Sequence, residues 1–193
     1  MKKIGILSSH NGSGFDTIIK ACENKQLDAQ VVVVISNNSN ALVLKKAEEK
    51  NIPNFVVNAT LYPQKDVDET IVEFLKKYDC DMIFLSGYMK KIGKALLEAY
   101  PNAIINSHPA LLPKFGGVGM YGSFVHEAVI NAHEKESGCT IHFVNEHYDE
   151  GEYILQKSIE LEKDETIQSL ENKIKNLESV TIIEALNKLI ALN

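Results

Sequence analysis

Three features of the chain predict an α/β fold: a mostly parallel, twisted sheet with helices on both faces. Short apolar, β-branched runs alternate with segments whose apolar residues recur at helical spacing. One run, Val31 to Ile35, is apolar without interruption, as expected of a strand covered on both sides. Polar or glycine-rich punctuation follows Leu7, Leu85 and Ile105. These are strand carboxyl ends, where open α/β sheets bind ligands.

The elements follow in order. Ile4 to Leu7 is a first strand, Asn11-Gly12-Ser13-Gly14 a turn, and Phe15 to Cys22 a helix with Phe15, Ile18, Ile19 and Cys22 on one face. Val31 to Ile35 is the second strand, followed by a polar turn (residues 36–40) and a helix from Ala41 to Lys50. Phe55 to Val57 reads as a strand, and Val67 to Tyr78 as a helix with Val67, Ile71, Phe74 and Leu75 aligned. Met82 to Leu85 and Ala103 to Ile105 are two further strands, with a helical stretch near Lys94 to Tyr100 between them. Residues 115–122 hold four glycines and read as a loop; Ser123 to His133 is helical, which puts His126 and His133 on one face. Thr140 to Val144 and Tyr153 to Ile159 alternate like paired strands at one side of the sheet. Asp164 to Leu192 is a long helix whose start, Asp164-Glu165-Thr166, carries an N-cap signal.

Composition narrows the function classes. At 193 residues the chain is expected to form one domain, 1–193. Its net charge of −6 and pI near 5.5 leave no basic face for nucleic acid. No stretch approaches the roughly 20 apolar residues of a membrane span. All 20 basic residues are lysines, so any anionic ligand must be held by ammonium groups or backbone amides. Cys22, Cys80 and Cys139 have no C-x-x-C spacing and read as reduced, buried thiols of a cytoplasmic protein.

Three constellations carry candidate chemistry. Asn11, Gly12, Ser13 and Gly14, between strand and helix, offer amides and a helix N-terminus to a phosphate. The third glycine of a dinucleotide fingerprint and the lysine of a Walker loop are both absent. Asn106 and His108 lie two residues apart at a strand's carboxyl edge, where alternation directs both to one side. An asparagine amide can donate to an oxyanion, histidine trades protons near neutrality, and a carboxylate such as Asp149 would orient the ring. Ser86 to Lys90 follows the fourth strand, where Gly87 would let a planar ligand approach the backbone, with Tyr88 and Met89 packing on it. No Cys/His cluster has metal-ligand spacing, so no metal is predicted.

On four stretches the chain resembles the phosphoribosylglycinamide formyltransferases of purine biosynthesis, which are folate-dependent: "SSHNGSGF" (Ser8 to Phe15), "LSGYMKKI" (Leu85 to Ile92), "INSHPALLPKF" (Ile105 to Phe115) and "GCTIHFVNEHYDEGEYILQ" (Gly138 to Gln156). The resemblance spans nearly the whole chain. It implies a formyltransferase-like, Rossmann-like three-layer fold, with a ribonucleotide-binding half (about 1–100) and a folate and catalytic half (about 101–193). It implies transfer of the formyl group of 10-formyltetrahydrofolate, a co-substrate, to the amine of glycinamide ribonucleotide.

By the same resemblance Asn106, His108 and Asp149 are the catalytic trio. Asn11, Gly12, Ser13, Gly14 and Glu178 bind the ribonucleotide. Lys65, Gly87, Met89, Lys90, Lys91, Ile92, Ile104 and Val144 bind the folate. Lys65 and Lys90 stand where the family usually has arginine, and Ser179 where a histidine commonly follows the glutamate. The expected partners are these two small molecules, with no nucleic acid and no membrane, for a monomer or homodimer. Formyltetrahydrofolate hydrolases and other folate-dependent N-formyltransferases share the core and remain alternatives. A non-catalytic folate- or nucleotide-binding protein is the alternative outside enzymes, discriminated by whether Asp149 lies beside His108.

Overall fold

Seven strands form one sheet in the order β3-β2-β1-β4-β5-β6-β7 in the computed structural model, which describes residues 1–192. The strands are β1 (Lys2–Leu7), β2 (Ala29–Ser36), β3 (Asn54–Val56), β4 (Met82–Leu85), β5 (Ile104–His108), β6 (Glu136–Phe143) and β7 (Tyr153–Glu160). The helices are α1 (Ser13–Glu23), α2 (Leu42–Glu49), α3 (Val67–Lys77), α4 (Lys94–Ala99), α5 (Ser123–Asn131) and α6 (Ile167–Ala191). β1 to β5 run parallel; β6 is antiparallel to β5, and β7 to β6. The predicted mostly parallel sheet, with its two alternating strands at one side, is therefore observed.

Strand alternation separates two cores. Ile4, Ile6, Phe84 and Ile105 pack with Phe15 and Ile18 of α1, Val43 and Ala47 of α2, and Ile182 and Leu186 of α6. Leu7, Ile83, Leu85 and Ile104 face the other way, onto Ile71 and Leu75 of α3 and Leu96 of α4. Each fully buried large side chain contributes about 1.5–3 kcal/mol. A smaller cluster, Val129, Leu170 and Ile174, joins α5 to α6. Helix α6 opens with a capping box: the Thr166 hydroxyl accepts from the Ser169 amide, and the Ser169 hydroxyl accepts from that of Thr166.

Three readings of the sequence change. The fifth strand does not end at Ile105 but runs through His108. Antiparallel pairing supplies a ladder for the polar residues, with Asn106 opposite His142 and His108 opposite Thr140. The α5 helix stops at Asn131, and His133 takes a positive φ of 52° in the turn beyond it, so it does not share a helix face with buried His126. Of the three thiols only Cys139 is buried; Cys22 and Cys80 are half-buried, and all three are unpaired. Among the described residues no helix is long and apolar enough to cross a membrane.

Candidate active site

The carboxyl ends of β1, β4 and β5 border a cavity of about 730 Å³, and a smaller cleft of about 70 Å³ adjoins it. Tyr88, Asn106, Tyr148 and Asp149 line both. The two spaces therefore meet at the residues singled out for their chemistry.

β5 delivers Asn106 and His108 on the same side, and the turn before β7 brings Asp149 to them. His108 Nδ1 lies 3.5 Å from Asp149 Oδ2, and Asn106 Nδ2 lies 3.5 Å from Oδ1. The His108 Nε2–H donates to the carbonyl of Phe115 at 2.7 Å, since a carbonyl can only accept. That leaves Nδ1 as the ring nitrogen free to take or give a proton. Asp149 itself sits at φ 59°, a left-handed conformation that aspartate tolerates better than most residues. The Gly117 amide donates to its Oδ2 at 2.9 Å and holds it there.

The segment between His108 and Phe115 is anchored from the sheet. The Thr140 hydroxyl donates to the Ala110 carbonyl at 2.7 Å and accepts from the Leu112 amide at 3.2 Å. Gln156 of β7 donates from Nε2 to both Thr140 Oγ1 and the Leu112 carbonyl. These buried bonds set where the Phe115 carbonyl meets the His108 ring.

A fourth side chain completes the cluster. His142, on β6 opposite Asn106, donates Nδ1–H to the Phe143 carbonyl at 2.8 Å. Its Nε2 accepts from Asn106 Nδ2 at 3.2 Å and lies 3.5 Å from Asp149 Oδ1. Sequence reading placed this position in the strand Thr140 to Val144 and gave it no role. The β5–β6 register that puts it opposite Asn106 is a long-range fact with no local signal.

Burial pushes the His108 imidazole below its usual pKa; the Asp149 charge and the Phe115 bond pull it back up, and His142 adds to the lowering. Burial raises the Asp149 carboxyl. The nearby His142 ring, the charged form of His108 and the Gly117 amide outweigh that and leave it below the ordinary range. Asp149 is thus an anion at neutral pH beside a histidine held largely neutral. Such a pair can accept a proton and release it again.

The phosphate-candidate loop is open on the cavity side. His10, Asn11, Gly12 and Ser13 line the cavity; Gly12 is the N-cap of α1, and the Ser86 hydroxyl accepts from the first-turn amide of Phe15 at 3.1 Å. Gly12 has φ 72°, and a Cβ there would lie 2.5 Å from Val43 Cγ2, so glycine is required twice over. Lys46 donates to the Asn11 carbonyl and side chain, and its charge is paired with Asp16 at 2.5 Å. Gly14 lies behind the wall: a Cβ there would lie 2.6 Å from the Phe84 ring, so this glycine serves close packing of α1 on β4. Glu178 lines the same cavity and accepts from the Ser107 hydroxyl. Burial pushes its carboxyl up, against the pull of Ser107 and Lys175.

The predicted folate wall divides. Lys90, Lys91, Ile92 and Val144 line the smaller cleft, whereas Gly87 and Met89 line the larger cavity. Two residues are not brought to either. Ile104 is 1% exposed in the core beneath the cleft. Lys65 precedes α3 and pairs with Glu73 at 2.8 Å on the surface. Burial, acting first, pushes the Cys80 thiol up to about 12 and that of Cys139 to about 11. Both stay protonated at neutral pH, and neither lines the two spaces.

Fold and site together define an α/β enzyme in which two ligand spaces converge on a buried histidine–carboxylate pair. The family model described as formyl transferase matches residues 2–186. A phosphoribosylglycinamide formyltransferase of Bacillus subtilis is 34% identical over all of this chain and 97% of its own length. A chloroplastic one of Arabidopsis thaliana is 35% identical over 95% of this chain and 63% of its own. The solved phosphoribosylglycinamide formyltransferase of Bacillus halodurans superposes with a TM-score of 0.89 at 32% identity, over 98% of this chain and 96% of that one. A formyltetrahydrofolate deformylase of Pseudomonas syringae, at 21% identity and a TM-score of 0.84, shares the fold. The chain belongs to the formyl transferase family, whose chemistry draws on a folate-derived formyl donor.

Proposed function

We propose that this protein transfers the formyl group of 10-formyltetrahydrofolate to the amine of glycinamide ribonucleotide. The observation that carries this reading is the convergence of the two spaces on Asn106 and Asp149, with His108 beside them. A two-substrate transfer needs each substrate to enter from its own side. The larger cavity, within the usual size of small-ligand sites, would take the ribonucleotide. Its phosphate would lie on the cavity-lining residues Asn11, Gly12 and Ser13, and its ribose by Glu178. The smaller cleft, with Lys90, Lys91, Ile92 and Val144, is at about 70 Å³ too small to enclose a folate and would take only part of it, from the other side.

The amine attacks the formyl carbon, and the carbonyl electron pair moves onto oxygen. Asn106 would donate to that oxyanion by exchanging its long Asp149 contact, keeping the shorter one to His142. One such donor contributes roughly 3 kcal/mol. The amine nitrogen gives up its proton, and the folate nitrogen leaves with the electron pair of its bond to the formyl carbon and takes a proton. His108 Nδ1, with Asp149 stabilising its charged form, is placed to carry that proton. No covalent intermediate on the protein is required, consistent with thiols that remain protonated away from both spaces.

The test is a spectrophotometric assay of folate product with both substrates and then with the ribonucleotide omitted. Product that depends on the ribonucleotide is expected. Product formed at an equal rate without it would replace transfer by hydrolysis.

A further inference from the structure

His126 is a buried histidine that the reaction above leaves unused. It is 4% exposed in α5, borders the larger cavity and is absent from the wall of the smaller one. Its Nδ1 is enclosed and has no hydrogen-bond partner among the described residues. An orphaned buried polar atom weakens a fold, and a leucine would pack in such a helix position at lower cost. Orphaned N–H groups are rarer than orphaned acceptors, so the lone pair belongs on Nδ1 and the hydrogen on Nε2. The ring is neutral at neutral pH, because burial pushes its pKa down while the nearby Glu171 opposes this.

The neighbours do not satisfy the ring. Glu171 and Lys175 of α6 border the same cavity, but they pair with each other at 2.6 Å. Glu178, one turn further along α6, is engaged by Ser107. No hydrogen bond joins these side chains to the ring, and with Nδ1 enclosed it is Nε2 that is left to meet a ligand in the cavity. The position is neither at the phosphate loop nor on the folate side, but on the α5–α6 wall near His108.

We propose that His126 is a ribonucleotide-contacting residue that donates from Nε2 to an oxygen of the substrate's ribose–glycinamide portion. This inference rests on the ribonucleotide occupying the larger cavity, as proposed above. Ribonucleotide-dependent turnover by the unaltered protein tests that reading first and independently; variants of His126 then bear on His126 alone.

In His126→Leu the KM for the ribonucleotide should rise about three- to tenfold, the loss of one neutral hydrogen bond. The KM for the formyl donor should stay within twofold, kcat should change little, and the melting temperature should be equal or higher. His126→Gln, whose amide reaches to about where Nε2 lies, should recover most of the affinity. An unchanged ribonucleotide KM in His126→Leu would overturn the proposal. So would an equal rise for both substrates, which marks a packing role. Should His126→Leu fail to fold, a ribonucleotide KM in His126→Gln raised tenfold or more would also overturn it.

Discussion

The Nε2–H of His108 is committed to the carbonyl of Phe115 at 2.7 Å, and this one bond determines which nitrogen faces Asp149. The ring is oriented by the main chain on one side and by the carboxylate on the other. Removing the ring should therefore remove the proton carrier while the strand, held by its ladder with β6, persists. His108→Ala is expected to lower kcat by about 10²- to 10⁴-fold, the usual worth of a general acid–base group. Circular dichroism should remain native. Near-normal turnover in a well-folded variant would refute the role.

Asp149→Asn separates charge from shape. The carboxylate raises the His108 pKa against the lowering by burial. Without it the imidazole should lose protons more readily still. The acidic limb of the kcat/KM profile governed by His108 is then expected to move to lower pH, with a lower plateau. A limb that stays in place would show that the carboxylate does not act on this histidine.

Stability should also respond to pH, with a definite sign. His108 and His126 are both pushed below the ordinary imidazole value, with burial as the first cause. The unfolded chain therefore takes up their protons first as pH falls, and stability rises with pH across that window. The contribution of these two histidines is complete above about pH 6.5 and is lost below it, while Glu178, pushed up by burial, contributes with the opposite sign. Asp149, held low, adds its own loss as pH falls through and below the ordinary carboxylate range. Chemical unfolding from pH 8 to 5 measures the slope, and His126→Leu should flatten it. An identical slope in that variant would exclude His126 from the effect.

Glu178 tests the ribonucleotide end. Its carboxyl accepts from the Ser107 hydroxyl on the face of β5 opposite to Asn106 and His108. Glu178→Gln is expected to raise the ribonucleotide KM about tenfold, the worth of a hydrogen bond to a charged group. The formyl-donor KM should be unaffected, and equal effects on both substrates would place Glu178 outside the ribonucleotide site.

Gly151 supports the site from behind. A Cβ there would lie 1.6 Å from the Phe143 carbonyl oxygen, the atom that accepts from His142 Nδ1. Gly151→Ala must push the β6 end away, at a cost of about 1–3 kcal/mol. A lower thermal midpoint is expected together with reduced kcat. A variant with the original midpoint would show that the chain end relaxes freely.

Much of this protein is determined by its local sequence. Alternation between period-2 and helical spacing is a near-neighbour property, so the order of strands and helices, the placement of Asn106 and His108 at the sheet's carboxyl edge, and the turn between β1 and α1 were all legible. Motif resemblance named Asp149 as their partner. What only the tertiary structure decided depends on residues far apart in the chain. The β5–β6 register put His142 against Asn106, and backbone groups of Phe115 and Gly117, invisible to side-chain reasoning, oriented His108 and Asp149. The same long-range packing buried Ile104 beneath the cleft and enclosed His126 at a cavity wall. Pairing and packing are selected by the whole core at once, and no window of neighbouring residues carries that information.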